Sequence, residues 1–391
     1  MHVLGHLSVE EFLRDYWQKK PVLIRNAWPD FEPLLAADEL AGMSMEADIE
    51  SRLIVENGKS GPWEVQKGPF RESDFRKLPE DKWTLLVQAV DHWVPEAADL
   101  LEHFRFIPSW RIDDLMISYA VNGGSVGPHY DQYDVFLLQA EGQREWRIGQ
   151  MCSDQSPLLK GPKVRILADF EETDRWVLNP GDMLYLPPGL AHYGIAVGEC
   201  MTYSIGFRAP SAAQLLERTA DVILPLLKDD QRYSDADLRP QQHSGEIDEP
   251  AINRLRRLLT EILDDDSVLA EVIGQLMTEP KYPDLVPEED DDLPDWDELA
   301  GAFTNQYVMR HEHARFAFHR AGAELQFWYQ GETVCLSTKC TALVAMLCDH
   351  RHYEGDALIA QCNGKDARNL LQTLWSAGLL CMEEDNGDPY S

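Results

Sequence analysis

Three residues of this chain have the types and the spacing of a metal site. His129 and Asp131 are separated by one residue, and His192 follows 61 residues after Asp131. If the first pair lies on a β-strand, residues i and i+2 point to the same face, so its imidazole and carboxylate can aim at one point. Two imidazoles and one carboxylate form the facial triad of non-haem Fe(II) oxygenases, which leaves coordination positions free for a cosubstrate and O2. The spacing therefore predicts an oxygen-activating iron site.

The segment that ends in His192 strengthens the metal-site prediction. A histidine two residues from an aspartate occurs often by chance, and most such histidines are surface or core residues. Here NPGDMLYLPPGLAH, over 179–192, has the pattern of a turn, a short apolar strand, a second turn and then the histidine. The alternative is an edge strand of a β-sandwich with a solvent-capped histidine. The two segments together favour the metal site.

Short strands dominate the part of the chain that contains the candidate ligands. From 115 to 207, seven strand-like runs alternate with Gly and Pro turns, a pattern typical of a β-sandwich or barrel. Before it, apolar spacing and capping predict a helix over 8–20, a short strand over 20–26 and a second helix over 80–104.

Beyond residue 209 the pattern becomes helical. Segments 211–227 and 250–277 are amphipathic, and they are too few to enclose a core of their own, so we expect them to bury an apolar face against a second copy of the chain. Between 286 and 298, eight of thirteen residues are acidic, which predicts a linker or a solvated lid. From 303 to 391 the order of strands and helices suits a winged helix.

Composition limits the class of protein and its partners. The 391 residues carry a formal net charge of −33, which argues against binding a phosphate backbone and suits attraction of a basic partner; solubility alone is the other explanation. The block from 303 has seven Lys and Arg against eleven Asp and Glu, so direct DNA binding is not expected. No apolar run approaches the ~20 residues of a membrane helix, no signal-peptide pattern is present, and seven scattered cysteines predict reduced thiols. We therefore expect a cytoplasmic protein without membrane contact.

The motifs around the candidate ligands carry a family resemblance. The chain resembles the bacterial JmjC-domain oxygenases that hydroxylate an arginine of a ribosomal protein, through FLRDYWQKKPVLIRNA, GPHYDQYDVFLLQAEGQREWRIG, PGDMLYLPPGLAHYGIA and SIGFRAPS. The resemblance spans nearly the whole length. It implies an α+β protein with a double-stranded β-helix (cupin) catalytic domain over 1–208, a helical dimerisation region over 209–285, an acidic linker over 286–302 and a winged-helix-like domain over 303–391.

The resemblance also implies cofactors and a substrate. They are Fe(II), with 2-oxoglutarate and O2 as cosubstrates, and an arginyl residue of the large-subunit ribosomal protein L-sixteen, hydroxylated at its β-carbon. It places Arg144 against the far carboxylate of 2-oxoglutarate, a role that suits the planar fork of arginine; an exposed strand arginine is the alternative. Ser118 and Ser204 are candidate hydrogen-bond donors to the cosubstrate, although hydroxyls in sheets are often satisfied locally.

Two other functions stay open. Demethylation of N-methyl-lysine uses the same iron chemistry, but demethylases usually carry zinc clusters or chromatin-reader modules, and this sequence shows neither. The other is a non-catalytic cupin-like regulator whose winged helix binds DNA. The intact His/Asp/His set and the acidic C-terminal block speak against it.

Overall fold

The chain divides into two compact units, Met1–Ala209 and Pro210–Ser391. The computed structural model describes residues 3–58, 61–286 and 293–383. No helix within these ranges is long and apolar enough to cross a membrane.

The first unit is built on one antiparallel sheet with helices packed against it. Its strands are β1 (Val22–Ile24), β2 (Ser51–Gly58), β3 (Gly61–Lys67), β4 (Trp83–Val87), β5 (Ile112–Ala120), β6 (Val135–Met151), β7 (Asp174–Leu178), β8 (Met183–Leu186) and β9 (Leu190–Phe207). The strand order is β1-β8-β6-β9-β5-β4-β2-β3, and β7 pairs with the second half of β6. The helices are α1 (Val9–Asp15), α2 (Ala37–Met43), α3 (Glu72–Phe75) and α4 (Pro95–Glu102).

Two long strands, β6 and β9, form the centre of this sheet. They pair from Val135 opposite Gly206 to Met151 opposite Leu190, with register shifts between Gln139 and Gln143. Four of the seven predicted strand-like runs merge pairwise into these two strands, so the seven runs become the five strands β5 to β9.

The register shifts decide which side chains of β6 reach each face. Before them, odd-numbered residues fill one buried cluster, and after them even-numbered residues fill the same cluster: Val135, Leu137, Trp146 and Ile148. Gly142 lies within the shift at φ +63°, and a Cβ there would lie 2.1 Å from the carbonyl oxygen of Glu199. The bend therefore requires glycine, and the register shift places Arg144 and Trp146 on the same face as Val135 and Leu137. The opposite face packs on the helices through a larger cluster that includes Phe12, Leu40, Leu100, Phe136 and Tyr203.

The N-terminal elements agree with the sequence only in part. The helix predicted from residue 8 is α1, and the Ser8 hydroxyl accepts a hydrogen bond from the Glu11 N–H at 3.1 Å. The helix predicted over 80–104 is wrong in its first half, where β4 pairs with both β2 and β5. Helix α4 occupies only the second half of that range.

The second unit begins with helices and continues as a mixed domain. It contains α5 (Ala212–Ile223), α6 (Glu249–Leu263), α7 (Asp266–Thr278), α8 (Trp296–Phe303), β10 (Tyr307–Arg310), β11 (Phe316–Ala321), β12 (Glu324–Tyr329), β13 (Glu332–Ser337), α9 (Thr341–Asp349), β14 (His352–Glu354), α10 (Gly355–Gln361), α11 (Lys365–Ser376) and β15 (Leu380–Met382). Its two sheets have the orders β14-β10-β15 and β11-β12-β13.

Helix α8 occupies the second half of the segment 286–302, which the sequence predicts to be a linker. Leu299 and Phe303 of this helix are buried in the core of the second unit. The most acidic part of the predicted linker, 287–292, lies outside the described residues.

Candidate active site

The three predicted metal ligands meet at one point of the first unit. His192 lies on β9, whereas His129 and Asp131 lie in the segment between β5 and β6. The expectation that the HxD pair lies on a strand is therefore wrong. His129 forms an isolated antiparallel bridge with His192, and the Asp131 carbonyl accepts a hydrogen bond from the Gly189 N–H at 2.7 Å. These backbone contacts align the side chains without a strand.

The distances between the ligand atoms suit a single ion. Asp131 Oδ2 lies 3.5 Å from His192 Nε2 and 4.0 Å from His129 Nε2. One ligand atom from each residue lies within 4.8 Å of the others. Ligand atoms at these separations can coordinate one first-row metal ion with bonds of ~2.0–2.2 Å.

The hydrogen bonds of both histidines also suit metal binding. His129 Nδ1 lies 2.8 Å from the Gly127 carbonyl oxygen, and His192 Nδ1 lies 3.0 Å from the Leu190 carbonyl oxygen. A carbonyl oxygen only accepts, so each Nδ1 carries the hydrogen and each Nε2 lone pair faces Asp131. Burial, together with the neighbouring His129, lowers the pKa of His192 to about 4. His192 is therefore neutral at pH 7 and ready to act as a ligand.

Arg144 lies on β6 on the same face as His192, and we call this side of the sheet the ligand face. Arg144 is 5% exposed, and its Nη1 donates to Ser118 Oγ at 3.2 Å. Its Nε and Nη2 are buried with no hydrogen-bond partner among the described residues. A buried guanidinium without an anion is costly, so the chemistry of this position fits a carboxylate ligand.

Trp146 lies between Arg144 and the metal ligands. The Arg144 guanidinium carbon is 5.7 Å from the centre of the Trp146 ring, and that ring is 5.9 Å from the ring of His192. Gly194 lies opposite Trp146 on β9, and a Cβ there would come within 2.7 Å of the indole. The sequence at these positions therefore makes room for the indole beside the site.

The structure places the two candidate serines differently. Ser118, on β5, accepts from Arg144 and donates to the Thr202 carbonyl oxygen at 3.4 Å. Ser204 lies on β9 opposite Met116, on the same face as Ser118, and is 8% exposed. Ser118 thus contacts Arg144 directly, while Ser204 is a neighbour on the ligand face.

The sequence reasoning missed two aspartates, Asp113 and Asp114, whose charges act on Tyr133, two residues after the metal ligand Asp131. The pKa of Tyr133 is raised, first by the charge on Asp131 and further by burial and by Asp114 and Asp113, although 43% of Tyr133 is exposed. A Cβ on Gly206 would lie 3.5 Å from Asp114 Oδ1 and 4.0 Å from the Tyr133 ring. The sequence signal that could have revealed them is a pair of aspartates inside an otherwise apolar strand. The pairing of β5 with β9 shifts register at this pair, between Ile112 and Leu115.

Family profiles match both units of the chain. A JmjC domain profile matches residues 99–215 and a ROXA-like winged helix profile matches 261–381. A third profile, an AraC-like ligand binding domain, matches 170–267. The first two matches confirm the predicted α+β fold, with its JmjC catalytic domain and its C-terminal winged helix.

Individual relatives are similar over most of the chain. The ribosomal protein uL16 3-hydroxylase of Escherichia coli is 39% identical over 290 residues, which cover 74% of this chain and 76% of that protein. A probable ribosomal oxygenase of Haemophilus influenzae is 36% identical over 315 residues, which cover 77% of each. The structure of the Escherichia coli ribosomal oxygenase YcfD in complex with cobalt and 2-oxoglutarate matches with a TM-score of 0.81 and 32% identity, over 97% of this chain and 99% of that one.

Proposed function

The chain belongs to the JmjC-domain ribosomal oxygenases, and from this membership we propose that it hydroxylates an arginyl residue of ribosomal protein uL16 at the β-carbon. It is a 2-oxoglutarate-dependent oxygenase that uses Fe(II) and O2. The observation that carries the proposal is the buried, partly unpaired guanidinium of Arg144 beside the cluster of His129, Asp131 and His192.

Different residues of the ligand face would bind the metal and the cosubstrate. His129, Asp131 and His192 would hold Fe(II), and Arg144 would pair with the far carboxylate of 2-oxoglutarate. When bound, iron supplies the chemistry that splits O2, so that one oxygen atom enters a substrate C–H bond while 2-oxoglutarate loses CO2 and becomes succinate. Ser118 holds one arm of the Arg144 fork in place, and Ser204 is a further candidate donor to the cosubstrate. Trp146 shields the pair from water, which strengthens the attraction between its charges.

The carboxylate of Asp114 suits the guanidinium of the substrate. Asp114 is 4% exposed, and its Oδ1 faces the space beside Gly206 and Tyr133. A carboxylate in such a place can form charge-assisted hydrogen bonds with a guanidinium, and the Tyr133 ring can lie against its planar face. We assign the guanidinium of the target arginine to this position.

We further propose that the enzyme works in the cytoplasm, as a homodimer, on a basic ribosomal protein and without binding DNA. All seven cysteines are free thiols, which suits a reducing compartment. Helix α6 has no buried residue, and Ile252, Leu255 and Leu259 on it are 43–51% exposed. A second copy covering this stripe would remove apolar surface that soluble proteins rarely expose. We therefore retain 209–285 as the dimerisation region.

The function is tested by incubating the purified enzyme with Fe(II), 2-oxoglutarate and uL16 from the same organism. We expect succinate to form in step with the gain of one oxygen atom on a single arginine, located by mass spectrometry. The matched controls are a uL16 variant with lysine at that arginine and the His129→Ala enzyme, and both should abolish the modification. Formaldehyde release from methyl-lysine peptides, with uL16 left unmodified, would instead favour the demethylase.

A further inference from the structure

A tight turn after β4 holds Asp114 in one orientation. The Gln88 side-chain Nε2 donates to Asp114 Oδ2 at 2.6 Å, and the Ala89 N–H donates to the same oxygen at 3.0 Å. Because both donors meet Oδ2, the other oxygen, Oδ1, is directed to the space beside Gly206 and Tyr133.

Arg52 in turn determines which way the Gln88 amide faces. Arg52 Nη2 donates to Gln88 Oε1 at 3.2 Å. A guanidinium has donors only, so the amide must present its oxygen to Arg52 and its NH2 group to Asp114. Arg52 therefore acts on the carboxylate of Asp114 through the Gln88 amide.

Ala89, which donates to Asp114, has an unfavourable backbone conformation. Ala89 is fully buried at φ 49° and ψ 46°, a left-handed conformation that costs a non-glycine residue about 1–2 kcal/mol. Asp114 itself lies in the register shift of β5, where the Leu115 N–H donates to Asp91 Oδ1 at 2.7 Å. Strained residues and bulges cluster where a side chain must be aimed.

From these contacts we propose that Gln88 and Arg52 are positioning residues that set the specificity of the enzyme for a guanidinium, by aiming Asp114 Oδ1 at the substrate arginine. Neither touches the reacting atoms. The inference rests on the proposed function, in which Asp114 receives the target arginine.

The test measures how strongly the enzyme prefers arginine to citrulline, its uncharged isostere. Two uL16 peptides are compared, one with the unmodified target arginine and one with citrulline in its place. Their dissociation constants are measured by calorimetry. The variants are Gln88→Met, Arg52→Met and Arg52→Lys, with Gln66→Met as the control because Gln66 is an exposed glutamine on β3. Since a hydrogen bond to a charged group contributes roughly tenfold in affinity, the arginine-to-citrulline ratio should fall about tenfold in Gln88→Met and Arg52→Met.

Other measurements distinguish a positioning role from a general loss of peptide binding. Arg52→Lys keeps a donor for Gln88 Oε1 and should retain most of the preference, and Gln66→Met should retain all of it. Affinity for the citrulline peptide should stay near the wild-type value in every variant, and Gln66→Met should also keep the wild-type kcat at saturating arginine peptide. An unchanged ratio in Gln88→Met, or an equal loss for both peptides, would overturn the inference and leave the proposed function standing. A wild-type enzyme without any preference for arginine would overturn both.

Discussion

Arg144 is the residue on which cosubstrate binding should depend most. Replacing it with alanine leaves the far carboxylate of 2-oxoglutarate without its cation, a loss of about 3–5 kcal/mol for a buried pair. We expect a steep rise in the 2-oxoglutarate concentration needed for succinate formation, and an intermediate value for Arg144→Lys, which keeps the charge without the fork. Arg147→Ala is the control, because the Arg147 side chain is 31% exposed and pairs with Glu145. If Arg144→Ala titrates like the wild type, another cation fills this role.

Asp131 should be needed for metal binding and not for folding. Its carbonyl, rather than its carboxylate, makes the backbone contact with Gly189, so Asp131→Ala should lose Fe(II) binding while its melting temperature stays close to that of the apo wild type. Metal affinity is measured by calorimetry with Co(II) or Fe(II) under anaerobic conditions, and Asp154→Ala, at an exposed position, serves as the control. Unchanged metal affinity in Asp131→Ala would remove it from the ligand set.

The residues found from the sequence differ from those missed in one physical respect. His129, Asp131 and His192 are carried by short motifs whose turn residues mark their position along the chain. The contact between Gln88 and Asp114 joins residues 26 positions apart and depends on a register shift in β5. No local pattern encodes such a contact, because only the paired strands bring these two side chains together.

Among the secondary-structure elements, β4 shows where periodicity misleads. The apolar residues at 83, 86, 87 and 90 have helical spacing, yet the segment is a strand with Leu85 and Val87 in one cluster and Leu86 in another. A strand buried on both faces has no polar side, so its apolar run fits a helical period by coincidence. Helix α1 was predictable because its cap and its single buried face are local features.

The bend in β6 is the element whose loss should affect both stability and cosubstrate binding. Gly142→Ala adds a Cβ that meets the Glu199 carbonyl and strains a positive φ, at a cost of about 1–3 kcal/mol for the strain alone. Gly198→Ala is a matched control, since Gly198 has φ +76° but nothing within 4 Å of its Cβ position. Denaturant unfolding should show a larger loss for Gly142→Ala, and only this variant should need more 2-oxoglutarate, because Arg144 follows two residues later. Equal behaviour of the two variants would mean that the bend does not place Arg144.

For the whole molecule, the exposed apolar stripe of α6 predicts the assembly state. Leu255 and Leu259 are 46% and 51% exposed, and replacing both with glutamine should convert the proposed dimer into a monomer. Sedimentation velocity at micromolar concentration measures the change, with Leu159→Gln as the control because Leu159 is a 42% exposed leucine of the first unit. A wild-type protein that sediments as a monomer would contradict the dimer.

The net charge of −33 predicts how recognition responds to salt. A strongly acidic enzyme attracts a basic ribosomal protein at long range, and ions screen that attraction over a Debye length of about 10 Å at 0.1 M and about 3 Å at 1 M. The association rate for full-length uL16 should therefore fall steeply with ionic strength, while the dissociation rate, which short contacts control, changes little. Stopped-flow binding across a salt series measures both rates. A short uL16 peptide with little net charge is the control, because its binding should depend only weakly on salt. If full-length uL16 and this peptide show the same salt dependence, the acidic surface has no part in recognising the substrate.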